Sequence, residues 1–115
     1  MTPTSRSLKL LRDEGWSLVE KVERKVPGTF ITQDLFGFAD IICVKDNRCM
    51  LVQTTSGSNL SARINKIAAS PQARFWLLPP TRTIVCHGWA RRGPRGKRKL
   101  WTCRIEEVTQ EMLVS

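Results

Sequence analysis

The apolar positions of the chain concentrate between residues 34 and 57, DLFGFADIICVKDNRCMLVQTTSG. Two apolar runs, Phe36 to Val44 and Cys49 to Val52, flank the polar break Lys45-Asp46-Asn47-Arg48. Short runs rich in Ile, Val and Phe around an Asp-Asn pair predict a β-hairpin. With Asp46-Asn47 as a two-residue turn, Lys45 faces Arg48, and the same register sets Asp40 opposite Gln53. Opposed residues share a face and side chains alternate along a strand, so Thr55 belongs to that face as well. A carboxylate on so oily a strand is costly to bury unless it is paired, solvated or bound to a cation. Asp40, Gln53 and Thr55 therefore form the first candidate site.

The remaining pattern supplies the elements around this hairpin. Thr4 or Ser5 can cap a helix carrying Leu8 and Leu11, with Gly15 as its stop. Trp16 to Val26 mixes apolar residues with charges and reads as a first strand, on which Glu20 and Glu23 lie. Pro27-Gly28 marks a turn, and Thr29 to Gln33 crosses towards the hairpin. Asp34, just before the strand bearing Asp40, is read as a second ligand to a metal or its water. After Thr55, Ser56-Gly57-Ser58-Asn59 ends the strand and caps a helix from Leu60 to Ser70. Leu60, Ile64, Ile67 and Ala68 share one face of it, and Asn59, Arg63, Lys66 and Ser70 form a polar stripe. A short segment from Pro71 through Trp76 ends at Pro79-Pro80. Thr81 to Trp89 and Lys99 to Ile105 then read as closing strands around Gly93-Pro94-Arg95-Gly96, with Cys86 facing Cys103 and Gly88 facing Trp101. The tail from Ile105 to Leu113 is a short helix or a strand extension.

Composition narrows the class of protein. A chain of 115 residues with 41% hydrophobic residues and four Trp suits one domain spanning residues 1–115. Its net charge of +9 makes a polyanion the natural partner. Six of the nine residues from Arg91 to Lys99 are basic, so the charge is clustered rather than spread. No apolar run approaches the ~20 residues of a membrane span, and the N-terminus lacks a signal-type apolar stretch. A cytoplasmic, bacterial or phage-encoded protein is expected. Cys43, Cys49, Cys86 and Cys103 contain no C-x-x-C spacing and read as buried reduced thiols, with His87 as a half-buried strand residue.

An Asp on one strand followed by Gln53-Thr54-Thr55 on the next resembles the core of the PD-(D/E)XK nuclease superfamily, in particular its small Holliday-junction-resolvase-like and phage-type nucleases. DLFGFADIICV followed by VQTTSGSNLSARINKI is likewise similar to a family of bacterial and phage proteins assigned to that superfamily. The resemblance covers the order of elements from Ser5 to Trp89. It implies an α/β fold, a mixed central sheet flanked by helices with a restriction-endonuclease-like αβββαβ core. It also implies a Mg²⁺ or Mn²⁺ ion on Asp40 and the Gln53 carbonyl, and a homodimer. Two departures stand out. Thr55 occupies the usual place of the catalytic Lys, for which Lys66 on the following helix is the substitute the resemblance suggests. The first helix has Thr4-Ser5-Arg6-Ser7 where a Glu belongs, leaving Glu20 or Glu23 to replace it.

The leading expectation is thus a metal-dependent endonuclease that hydrolyses phosphodiester bonds in DNA, branched or phage DNA included. Asp40, Gln53, Thr55 and Lys66 are its expected catalytic residues, and Asp40, Gln53 and Asp34 its metal ligands. Arg63, Lys66, Arg91, Arg92, Arg95, Lys97, Arg98 and Lys99 are the expected nucleic-acid contacts. A nuclease-fold module that binds DNA without cutting it is the alternative. A basic RNA-binding protein comes third, since no RNA motif accompanies the charge.

Overall fold

The fold is described by a computed structural model covering residues 1–114. Helix α1 runs from Pro3 to Asp13, and its cap is Thr2 rather than Thr4 or Ser5. Thr2 Oγ1 accepts the Ser5 N–H at 3.1 Å while Ser5 Oγ accepts the Thr2 N–H at 2.9 Å. Pro3 favours this earlier start, because the first helical position needs no N–H and suits the fixed φ of proline. The expected first strand is also divided. Strand β1 covers Leu18–Lys21, and β2 (Arg24–Lys25) pairs instead with β3 (Thr32–Gln33) in a separate two-stranded hairpin. The Val22 N–H still reaches the Asp40 carbonyl at 2.8 Å; beyond it the chain leaves the main sheet.

The central hairpin has the expected register. Strands β4 (Ile41–Lys45) and β5 (Arg48–Ser56) pair Lys45 with Arg48 and Ile41 with Val52, around a turn in which Asp46 takes a φ of 54°. A five-stranded mixed sheet forms with the order β1-β4-β5-β6-β7, where β6 is Arg82–Arg92 and β7 is Leu100–Glu107. Only β5 and β6 run parallel, and their crossover carries α2 (Leu60–Ala68) and α3 (Pro71–Trp76). Helix α1 covers one face of the sheet, where Leu11, Val19, Ile41, Cys43 and Val52 pack together. Helices α2 and α3 cover the other over Phe38, Leu51, Ile67, Ile84 and Cys86. Gly88 permits α2 to start this close to β6, since a Cβ there would lie 3.2 Å from Leu60 Cδ2 and 3.3 Å from Gly57 Cα. Among the described residues no helix is long and apolar enough to cross a membrane.

The closing hairpin differs from its expected register. Arg92 pairs with Leu100, so Cys86 faces Glu106 and Gly88 faces Arg104, not Cys103 and Trp101. The turn does form at Pro94, with the Lys97 N–H on the Pro94 carbonyl at 3.0 Å and Gly96 at φ 79°. It sits inside a longer loop, residues 93–99, that holds Arg98 and Lys99 outside the strand. After β7 the tail makes a 3₁₀ turn at Gln110–Met112. All four cysteines are free thiols, Cys43 and Cys86 buried as expected but Cys49 and Cys103 only half-buried.

His87 is fully buried rather than half-buried, and one hydroxyl explains how. Ser7 Oγ accepts the Trp89 Nε1–H at 2.8 Å and lies 2.8 Å from His87 Nδ1. The single hydroxyl thus serves both the indole N–H and the imidazole Nδ1. Burial pushes the His87 pKa down to about 4 from 6.5. Between those values the unfolded chain binds the extra proton, so this contribution to stability is complete above pH 6.5 and is lost as pH falls towards 4. Relative to His87→Gln, the parent should lose up to ~3 kcal/mol across that window, measured by urea denaturation at each pH. Parallel profiles for the two proteins would show that His87 is not the titrating group.

Candidate metal centre

At the start of β4 the chain folds back sharply. Phe36 and Gly37 both take positive φ, 57° and 81°, and the Phe38 and Ala39 N–H groups donate to the Leu35 carbonyl at 3.2 and 2.9 Å. Two consecutive positive φ values define the tight hairpin turn that glycine accepts freely and phenylalanine does not. The Phe36 ring rests near Trp76, centroids 6.3 Å apart. This turn returns Asp34 to the neighbourhood of Asp40. Glu23, where the chain leaves β1 for β2, joins them, and the three carboxylates offer oxygens within 4.8 Å of one another.

Asp40 is only 4% exposed and Gln53 only 3%. Asp40 Oδ2 accepts Gln53 Nε2–H at 2.7 Å, the Thr54 N–H at 2.8 Å and the Thr54 hydroxyl at 3.1 Å. Gln53 Nε2 also donates to the Thr54 carbonyl at 3.1 Å, and Gln53 Oε1 is buried with no partner. The amide thus turns its nitrogen, not the expected carbonyl oxygen, towards Asp40. A cleft of about 260 Å³ opens over these groups, lined also by Pro3, Thr4, Thr32, Asp34, Glu23 and Arg63. Thr4 comes from the first turn of α1 and donates its hydroxyl to Thr54 Oγ1 at 2.8 Å.

The expected residues are therefore divided. Asp40, Gln53, Asp34 and Arg63 meet in the cleft, and Glu23 rather than Glu20 supplies the third acid. Thr55 does not line it: buried opposite Gly88, it lies two residues, ~6.6 Å, further along β5. Lys66 is exposed in the last turn of α2 and outside the cleft, so the nearby cation is Arg63, about one turn earlier. Arg91, Arg92, Arg95, Lys97, Arg98 and Lys99 are all exposed beyond the same end of the sheet, and none is ion-paired among the described residues. Thr54 was hidden by simple alternation, which assigns it to the opposite face from Gln53. Because β4 pairing begins only at Ile41, the Thr54 amide is left for the Asp40 carboxylate.

Desolvation pushes the Asp40 pKa up to about 7 from 3.8, opposed by the Thr54 N–H and reinforced by Asp34 and Glu23. An all-oxygen donor set suits a hard divalent cation. Around an octahedral Mg²⁺ with ~2.1 Å bonds, oxygens lie ~4.2 Å apart when opposite and ~3.0 Å when adjacent, so carboxylates within 4.8 Å must draw in by up to ~1.8 Å. The unpartnered Gln53 Oε1 is a further oxygen that a rotation of the amide would present. The residues fit such an ion. Fold and cleft together define a small mixed α/β protein with an acidic cleft in which Asp40 is buried and Glu23 and Asp34 are half-buried. No protein-family model, curated protein or solved structure matches the chain.

The raised pKa has a sign. Between 3.8 and about 7 the folded state holds the extra proton, so the stabilising contribution is complete below 3.8 and lost as pH rises to 7. Above pH 7 in chelator, Asp40→Asn should raise the melting temperature, by on the order of 5 °C. The parent should gain thermal stability with Mg²⁺ or Mn²⁺, and the variant should gain much less. Equal melting curves for the parent with chelator and with either ion would rule out the metal centre.

Proposed function

We propose that this chain is a divalent-metal-dependent nuclease-like domain acting on DNA, and that its sheet is the restriction-endonuclease-like αβββαβ core that the sequence resembles. The observation that carries the reading is the convergence of Glu23, Asp34 and Asp40 beside the orphaned Gln53 carbonyl. Glu23, Asp34 and Asp40 would hold Mg²⁺ or Mn²⁺, with Gln53 Oε1 as the additional oxygen. Bound there, the ion supplies a Lewis acid and a water of lowered pKa for phosphodiester hydrolysis. Arg63 would supply a positive charge to the phosphate from the wall of the cleft. The end of β6 and the loop after it, from Arg91 to Lys99, would hold the flanking backbone by charge.

A specific observation favours a second reading, a domain that binds DNA without cutting it. Among the described residues no lysine lines the cleft. Supercoiled plasmid, linear duplex and a four-way junction, each incubated with Mg²⁺ and with Mn²⁺, separate the two. Cleavage by the parent, abolished in Asp34→Ala and Asp40→Ala with DNA binding retained, is the expected result. Arg63→Ala should slow cleavage at least tenfold, a rise of ~1.4 kcal/mol in the barrier. Intact DNA under every condition, with binding preserved, would leave the non-cutting reading.

Binding itself should be sensitive to salt. Each phosphate contact contributes about 0.9 to the log-log slope for duplex DNA. Replacing Arg95, Lys97 and Arg98 together with Ala should therefore flatten the slope by roughly 2 to 3. An unchanged slope would mean that these side chains are solvated bystanders.

A further inference from the structure

The β2–β3 hairpin carries the most exposed aromatic residue of the described chain. Phe30 is 96% exposed at its tip, and the neighbouring Ile31 is 64% exposed. The tip is nonetheless well braced. Pro27-Gly28 forms a tight turn with Gly28 at φ 76°, and the Thr29 N–H and hydroxyl both donate to the Val26 carbonyl, at 3.2 and 2.9 Å. The Val26 N–H reaches the Ile31 carbonyl at 2.9 Å, and the Ile31 N–H reaches Thr29 Oγ1 at 3.2 Å. The Pro-Gly order with positive φ at glycine is that of a type II turn. A shallow hollow of about 340 Å³ beside the ring is lined by Lys25, Val26, Pro27, Gly28 and Thr29.

Placement gives this ring a partner. The hairpin is bracketed in sequence by Glu23 and Asp34, two of the three carboxylates of the acidic centre. All the acid therefore lies at its root, while Arg24 and Lys25 are exposed along it. The Lys25 ammonium stands 5.1 Å from the centre of the Phe30 ring. A rigid aromatic face with a cation beside it matches a nucleotide, whose base stacks while its phosphate is neutralised. Root and tip are separated by roughly 15 Å of hairpin, a few nucleotides of strand.

We infer that the β2–β3 hairpin is a nucleobase-engaging flap, in which Phe30 stacks on an unpaired base and Arg24 and Lys25 hold its backbone. The preferred ligand is DNA with accessible base faces, single-stranded or opened at a branch, over continuous duplex. This inference rests on the DNA reading of the acidic cleft and adds the form of DNA that the cleft receives.

The test is fluorescence anisotropy with labelled single-stranded, forked and continuous duplex oligonucleotides, in Ca²⁺ to slow cleavage. Phe30→Ala should weaken single-strand and fork binding about tenfold and leave duplex binding within about twofold, one stacked base being worth ~1.4 kcal/mol on this scale. Phe30→Trp should retain affinity, and its fluorescence should be quenched on binding. Equal single-strand affinity of parent and Phe30→Ala would overturn the flap. So would uniform weakening on every DNA form. The two readings fail separately. Cleavage lost in Asp40→Ala with Phe30→Ala silent would overturn the flap alone; no cleavage by the parent, with the Phe30 effect present, would overturn the nuclease alone. A parent that binds no DNA would overturn both.

Discussion

Everything at the acidic end of this protein depends on keeping the Asp40 carboxylate out of water. Three donors converge on one of its oxygens, from the Gln53 amide and from the Thr54 backbone and hydroxyl. Those bonds favour a charged carboxylate, yet burial and two neighbouring acids outweigh them and raise its pKa. The turn that returns Asp34 to this place adds the cost of a phenylalanine at positive φ, of order 1–3 kcal/mol. The unfavourable contributions are concentrated in one cleft, and the apolar clusters on the two faces of the sheet offset them. Strain and like charge are thus gathered at one place, the entry to β4.

The charge distribution sharpens that contrast. The chain carries +9 overall, yet three of its ten acidic residues lie within one cleft. Basic residues occupy the exposed loop beyond β6 and the β2–β3 hairpin instead. An approaching polyanion meets a positive surface first, and only a cation makes the acidic pocket hospitable to it. Under the proposed reading, a positive rim around an acidic pocket would couple the binding of a polyanion to that of a metal ion.

The central hairpin was legible because a two-residue turn and a period of two leave one register that buries its apolar face. That register put Gln53 beside Asp40, and the structure has the pair in contact. The rest of the site depends on where strands end, which alternation does not encode. Thr54 reaches Asp40 only because β4 stops short, and Glu23 arrives only because β1 breaks after Lys21. Thr55 has the right parity and the wrong distance. The closing hairpin slipped because β7 is an edge strand with many exposed residues, so no buried face fixes its pairing from sequence. His87 looked ordinary because its partner, Ser7, lies in the first helix and carries no local signal.

That partnership orders events in time. Ser7 is separated by 80 residues from His87 and by 82 from Trp89. During synthesis α1 emerges first, but the groups that satisfy its buried hydroxyl are made only when β6 is complete. Leu8 and Leu11 can pack on Val19, Ile41, Cys43 and Val52 earlier, so the apolar contacts of the helix precede its polar closure. Long-range closure of this kind slows folding, since the loop entropy is lost before the contacts repay it. A nascent chain halted before Trp89 would hold its N-terminal helix against β1, β4 and β5 with the Ser7 hydroxyl still short of its indole partner.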